Sequence, residues 1–394
     1  GKPLPGATVR LLSSDMVVVS DLAGEFSIRH ESGTSPVLRI SYIGFKTADY
    51  TPEPGQEYAE VRLEPGRSLL EGVVVTATRG RREQHELPLR MDVLDRDKIA
   101  SIPALSADDY LRLLPGVNIS RGASFLGAST VSLRGMGNEA GRTLVLVDGV
   151  PVNKSDGGSV NWNAINPGDL EQVEVLKGPG SSIYGGNAMG GIIHFITPVP
   201  GYGLQGNLSQ GVGSFGTLHT QASLSGREGG FFWGVNGRYR NSDGYITAPA
   251  DELDEFSIAS FLDEYQFGGR AGYQIDANQV VELSGSYYQG KRGTGSRFTG
   301  YGFQNEEFAA PEGAYNQYGG VYGRATYRNS FGGSSLFNLT VYGQRENYQN
   351  IRESVRSNRL TRYDVESIRQ DLGLLSSFSV DAGRSHKLTA GLDV

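Results

Sequence analysis

From about Leu204 onward the chain repeats one unit: an alternating apolar and polar strand, a turn, and another such strand, with no helix between them. Phe231, Trp233, Val235, Gly237 and Tyr239 fall on one side, and Phe232, Gly234, Asn236, Arg238 and Arg240 on the other. The same split separates Leu218, Thr220, Ala222 and Leu224 from His219, Gln221, Ser223 and Ser225, and Phe267, Gly269, Ala271 and Tyr273 from Gly268, Arg270, Gly272 and Gln274. Side chains alternate along a strand, so each segment has one apolar and one wet face. A water-soluble sandwich explains any one of them. A run of roughly nine, each about 9–12 residues long with aromatics near the ends, fits a membrane-spanning β-barrel better.

Composition agrees with that reading. The 394 residues include 56 Gly and 20 Tyr but only 38% hydrophobic residues. Barrel strands need an apolar residue only at every second position. No stretch approaches the ~18 consecutive apolar residues of a membrane helix. The net charge of −7 argues against a nucleic-acid partner. Cysteine is absent, which excludes disulfides and thiolate metal sites. The sequence opens on the strand-like Pro3-Leu-Pro-Gly-Ala-Thr-Val9; the expectation is that a leader has been removed or the chain trimmed, and trimming is favoured because the opening strand reads as cut in half.

Four regions follow from the patterning. Residues 1–66 read as a small β-sandwich with strands over Ala7 to Leu12, Glu25 to Arg29, Val37 to Tyr42 and Ala59 to Leu63. Pro3 to Val9, Asp21-Leu-Ala-Gly-Glu-Phe26 and Ile40-Ser-Tyr-Ile-Gly-Phe45 resemble the carboxypeptidase-regulatory-like domain. That resemblance implies a transthyretin-like sandwich lacking its usual first half-strand, and no peptidase site. Residues 67–83 are a linker holding Glu71-Gly-Val-Val-Val-Thr-Ala-Thr-Arg79. Such a β-branched run can add to a partner's sheet edge or serve as an ordinary strand of the next domain. Residues 84–200 are mixed α/β. Ser106 caps a helical turn with acidic residues behind it, ending at Pro115-Gly116. Thr143 to Val147 is a buried-type strand turned by Asp148-Gly149 into Val150, and Gln172 to Leu176 and Gly191 to Ile196 are further strands.

Residues 201–394 carry the barrel pattern. Short turns lie near 227–230, 276–278, 329–334 and 381–386, while long polar loops are expected at 242–263, 290–316 and 347–361. Short turns at one rim and long loops at the other characterise outer-membrane barrels. Roughly nine strands cannot enclose a stopper of more than about 100 residues, since plugged transporters use about 22. The expectation is therefore an incomplete barrel ending within a strand, with a sheet edge prone to aggregation.

Leu113-Leu-Pro-Gly-Val117, Val131-Ser-Leu-Arg-Gly135, Leu144-Val-Leu-Val-Asp-Gly-Val150, Val173-Glu-Val-Leu-Lys-Gly-Pro179, Ser182-Ile-Tyr-Gly185 and Asn187-Ala-Met-Gly-Gly-Ile-Ile193 occur in that order. Together they resemble the plug domain of TonB-dependent outer-membrane receptors. The resemblance implies a mainly β fold class: the N-terminal sandwich, a mixed α/β plug, and the first strands of an antiparallel transmembrane β-barrel. It makes Val73, Val74, Val75, Thr76 and Ala77 a TonB box, which pairs in the periplasm with the energising protein TonB. It turns two plug loops toward substrate, through Arg121, Ser124 and Phe125 in one and Ser155, Asp156, Trp162 and Asn163 in the other. Phe125 and Trp162 offer stacking faces, and the polar residues offer hydrogen bonds. Arg134 is expected as a buried cation facing the wall, and Glu174 and Lys177 as plug–barrel ion pairs.

The acidic run Asp251-Glu-Leu-Asp-Glu255 lacks EF-hand spacing and reads as solvated surface, so no metal or cofactor is expected. Walker, His-Glu-x-x-His and Gly-x-Ser-x-Gly motifs are missing, so no catalysis is expected. The functional expectation is active uptake of a siderophore-iron chelate or cobalamin-like ligand across the outer membrane, with lipid around the barrel. A glycan importer, or a receptor signalling through its N-terminal domain, remains as an alternative.

Overall fold

The computed structural model describes residues 91–394 except 123, 137–139, 155–156, 181–183, 277, 332–334 and 383–385. Before these it describes 3–4, 6–12, 16–21, 23–28, 36–42, 45, 47–53, 56, 58–64, 73–74 and 82–83.

The first region forms a four-stranded antiparallel sheet. β1 (Thr8–Leu11) lies between β2 (Val17–Val19) and β3 (Leu38–Ser41), and β4 (Ala48–Tyr50) pairs with β3. Val9, Leu11, Leu38 and Ile40 alternate onto one buried face, against which Phe26, Ile28, Val61 and Leu63 pack. The strands expected at Glu25 to Arg29 and Ala59 to Leu63 are therefore correct in their apolar alternation and wrong in their pairing. Their described residues cover the sheet without joining a ladder. In the linker, β5 (Val73–Val74) pairs with β6 (Arg82–Glu83); Val75, Thr76 and Ala77 lie outside the described residues.

The middle domain is built on a mixed five-stranded sheet. Its strands are β7 (Met91–Leu94), β10 (Thr143–Val147), β11 (Val150–Pro151), β12 (Gln172–Lys177) and β13 (Gly191–Ile196), in the order β11-β10-β13-β12-β7. β10 and β13 are parallel, and the other pairs are antiparallel. A separate hairpin joins β8 (Val117–Arg121) to β9 (Ser129–Leu133). Both faces of the sheet are covered, which explains its continuous apolar runs. Val145, Val173, Val175, Ile193 and Phe195 pack on one side with Leu111, Leu133 and Trp162. Leu144, Leu146, Leu176 and Ile192 pack on the other. Asp95 caps the short helix α1 (Arg96–Ser101) by accepting from the Lys98 N–H. The turn after Ser106 is a 3-10 helix, Ala107–Leu113, fixed by the Asp109 carboxylate accepting the Ser106 N–H at 2.9 Å. Asp148 and Gly149 both have positive φ, the paired conformation that a two-residue hairpin turn requires.

Nine antiparallel strands in meander order form the wall: β14 (Gly203–Gly213), β15 (Thr217–Glu228), β16 (Phe231–Ser242), β17 (Leu262–Gln274), β18 (Gln279–Gly293), β19 (Tyr315–Phe331), β20 (Ser335–Arg356), β21 (Arg359–Ala382) and β22 (His386–Asp393). Leu208, Phe267, Val321 and Leu372 are 74%, 58%, 55% and 83% exposed, so the apolar face is the uncovered one. The alternate residues Phe232, Arg238, Arg240 and Gln266 are buried. On the apolar face Tyr239, Tyr265 and Tyr287 form one aromatic level, and Phe231, Tyr273 and Tyr327 another near the short turns. The Tyr239 hydroxyl donates to Asp263 at 3.1 Å, and that of Tyr287 to Gln289 at 2.6 Å. The rings thus sit where apolar wall gives way to polar rim, as barrel girdles do.

Two long connections fall near the expected places, between Ser242 and Leu262 and between Gly293 and Tyr315. The third does not. The segment 347–361 is strand almost throughout, and β20 and β21 meet at the two-residue turn Ser357-Asn358, where both φ values are positive. Above the apolar band one face of these strands is polar and the other keeps only scattered apolar residues such as Ile351 and Leu360, so the alternation that betrays a strand is lost.

Candidate functional site

The two loops expected to face a ligand diverge in structure. The β8–β9 loop closes on itself, with Gly122 N–H donating to Ala128 O at 2.9 Å and Gly127 N–H to Ser124 O at 2.8 Å. Its tip carries the half-buried Phe125 to the long-loop rim. There it lies edge-on to Tyr245 with ring centroids 6.5 Å apart, and Tyr245 contacts Phe215 at 5.3 Å. Ser124 is half-buried beside it. Arg121, below the tip, serves the domain itself. It pairs with Asp108 and, at 3.0 Å, with Asp109. Burial alone would raise the Asp108 carboxyl, but hydrogen bonds from Arg121, Ser106 and Ser129 bring it below the ordinary value.

Trp162 and Asn163 are corrected by the structure. Trp162 is 4% exposed, stacks edge-on against Phe195 at 6.3 Å and donates its indole N–H to Ser129 O at 2.9 Å. It fills the core and offers a ligand no face. Asn163 is equally buried, donating to Leu126 O at 3.1 Å and accepting from Arg240 at 3.1 Å. Ser155 and Asp156 lie outside the described residues. Their neighbour Asn153 is consumed internally, accepting from Val145 N–H at 2.7 Å and donating to Thr143 O and Gly158 O, both at 2.9 Å.

The seam between middle domain and wall is carried by arginines on the wet face of the wall. Arg324 of β19 pairs with Asp148 at 2.8 Å and Glu282 at 3.0 Å, and donates to Asp148 O at 3.0 Å. Arg270 of β17 approaches the same carboxylate at 3.5 Å and donates to Pro198 O at 2.9 Å. Thr197 N–H donates to Asp148 Oδ1 at 2.8 Å. Burial would raise the Asp148 carboxyl, yet the two guanidiniums and Thr197 hold it well below the usual range, so it is ionised. Nearer the long-loop rim, Arg240 donates to Leu105 O and pairs with Glu264, while Arg238 donates to Asn163 O; none of these three side chains is solvent-exposed. Asn236 donates to Asp169 at 2.6 Å. Between the anchors the seam leaves a cavity of about 230 Å³ lined by Asp169, Asn236, Gln266, Ser284 and Tyr322. The contact between the two layers is therefore polar and incompletely filled, unlike a hydrophobic core.

Residues 83–192 match the family model described as TonB-dependent Receptor Plug Domain. A plug domain of the TonB-dependent receptor kind is therefore part of this chain. It is similar to the Rhizobactin receptor of Rhizobium meliloti (strain 1021), with 32% identity over 66% of this chain and 35% of that protein. It is also similar to the Vitamin B12 transporter BtuB of Vibrio vulnificus (strain CMCP6), with 29% identity over 62% and 44%. The crystal structure of the siderophore receptor PirA from Acinetobacter baumannii shares its fold at a TM-score of 0.63, with 20% identity over 79% of this chain and 48% of that one. The chain thus spans between about a third and a half of the length of these relatives.

Within this plug several residues take other places than their motifs suggest. Arg134 is exposed and sits at positive φ, so it is no buried cation against the described wall. Lys177 pairs with Asp92 and donates to Pro115 O, and Glu174 accepts from Gln172 at 2.8 Å, all within the plug. The plug–barrel pairs come instead from Asp148 and the barrel arginines. Their signal was present as Arg238, Arg240 and Arg270 on the wet face of alternating strands; their plug partners, 72 or more residues away in sequence, were not. Among the described residues no cluster of three or more His, Cys, Asp or Glu could hold a metal ion. Trp162→Ala should cost about 3–5 kcal/mol by emptying a core position, read as a lowered denaturation midpoint. Phe125→Ala should leave the midpoint unchanged.

Proposed function

We propose that this receptor draws a scarce, bulky ligand, a siderophore-iron chelate or a cobalamin-like molecule, across a bacterial outer membrane. The observation that carries the reading is the plug domain held against the wet face of a wall whose other face is apolar and banded by aromatic rings. A pore wide enough for such a ligand would leak, and a plug removes the leak. Lipid meets the apolar face, the sheet's 201–394 strands supply the wall, and the long-loop rim faces outward. Relatives named for rhizobactin, vitamin B12 and a siderophore support the ligand class. Ser124 and Phe125 are the plug residues best placed to touch ligand from the rim. Val73 to Ala77, in the linker at 67–83, present an edge to TonB for strand addition in the periplasm.

The test is accumulation of labelled ferric chelates and of cyanocobalamin by cells carrying the full-length receptor in place of their own. One of these should enter, and its entry should stop when TonB is deleted or the inner-membrane proton gradient is collapsed. Entry that continues unchanged without either would refute the proposal.

A further inference from the structure

The hairpin that replaces the third expected loop has two unlike faces. Register pairs Arg352 with Tyr363, Ser354 with Thr361, and Arg356 with Arg359 on one face. That face continues down the strands through Asn350 and Tyr348. There Tyr348 and Tyr318 flank the ammonium of the plug's Lys154, 5.5 and 5.3 Å from the ring centres. It is therefore the lumen side, looking over the plug. All six tip residues are exposed. The opposite face holds the fully buried Ile351 and Leu360. It is braced by the connection between β18 and β19: Gln304 N–H donates to Asn358 O and Leu360 N–H to Gln304 O, both at 3.0 Å, and Arg362 donates to Phe308 O at 3.2 Å.

The charge on the free face is one-sided. From Tyr348 to Ser367 the lumen face of the hairpin carries three arginines and no carboxylate. Among the described residues Arg352 is satisfied only by Asn350, at 2.6 Å, and neither Arg356 nor Arg359 has an ion-pair partner. On the bracing loop Glu307 is exposed, but the nearby carboxylates Glu306, Glu312 and, on β20, Glu353 are engaged elsewhere. Glu306 accepts the main-chain N–H groups of Gly300, Tyr301 and Gly302, Glu312 pairs with Lys291, and Glu353 accepts from Ala310 N–H. A rigid pair of strands that aims guanidiniums, hydroxyls and a phenol ring into the lumen suits multiply charged oxygen ligands.

We infer that the lumen face of the β20–β21 hairpin is an anion-recognition surface that selects ligands bearing several negatively charged oxygens over neutral ones. This rests on the uptake reading and narrows it. Exposed arginines act through water, so each contributes modestly, and the field of three together steers approach and weakens with salt.

The experiment measures binding to the full-length receptor in detergent free of lipopolysaccharide, whose phosphates could otherwise supply the anion. The probes are a ferric tricarboxylate chelate of net negative charge, a neutral ferric trihydroxamate, and cyanocobalamin. The wild type should bind the anionic chelate about tenfold more tightly than either neutral probe, a margin that shrinks with added salt. The triple variant R352Q/R356Q/R359Q should lose that margin while its neutral binding is unchanged, and R352K/R356K/R359K should recover most of it. Wild-type preference for a neutral probe, or a triple variant that keeps the anionic preference, overturns the inference and leaves uptake standing. A wild type that binds none of the three overturns both.

Discussion

Val75→Pro in the full-length receptor should abolish uptake and leave ligand affinity where it was. Strand addition depends on main-chain N–H donors, and proline removes one while its ring fixes φ. The simple β-branched character of Val73, Val74 and Val75 fits a segment read through its backbone. The Phe125 tip, proposed above to touch ligand, lies at the long-loop rim beside Tyr245, so the two effects should separate. The measurement pairs an equilibrium binding titration on the purified receptor with a whole-cell uptake assay. Uptake at the wild-type rate would remove Val73 to Ala77 as the TonB contact, whatever the ligand proves to be.

Asp148→Ala should loosen the plug against its wall, with the Arg238, Arg240 and Asn236 anchors still in place. The carboxylate is 14% exposed and faces two guanidiniums that are 12% and 13% exposed, and stranding a buried cation costs about 3–5 kcal/mol. Glu282 stays within 3.0 Å of Arg324 and softens the loss, which places the result near the lower end of that range. The expected readouts are a lower unfolding midpoint and entry of a large antibiotic that intact outer membranes exclude. Adding Arg324→Met should restore much of the midpoint, because a pair removed together leaves no orphaned charge. The pH behaviour has a defined sign. Asp148 titrates lower in the folded receptor than its unfolded value of about 3.9, so its contribution is complete above that value and fades only as pH falls through the lowered one. Between about pH 5 and 8 the difference between wild type and Asp148→Ala should be constant.

The wall was legible in the sequence because one side of each strand meets an apolar surround, and that constraint writes a period of two into residues 204–346. Legibility failed where the constraint lapsed. Arg352, Ser354 and Arg356 lie above the apolar band, where the opposite face keeps only scattered apolar residues such as Ile351 and Leu360, and a largely polar strand there looks like a loop. Trp162 misled for the opposite reason: its neighbours Asn161, Asn163 and the glycines before them are turn formers, yet the ring reaches back to Phe195 across the plug. Sequence adjacency says little about a side chain that long. The arginine anchors show a third limit. A guanidinium on a lumen face is visible locally, but its acceptors, Leu105 O and Asn163 O, are main-chain atoms without any compositional mark.

The order of strands in the plug sheet sets how it yields under load. β7 is one of the two edge strands, joined to its neighbour β12 by four residue pairs, and it is the strand of this sheet nearest the linker in sequence. Asp148 and its arginines hold the far side of the same sheet, at the turn between β10 and β11. Tension drawn from the periplasm would therefore peel away one short ribbon while the rest stays moored.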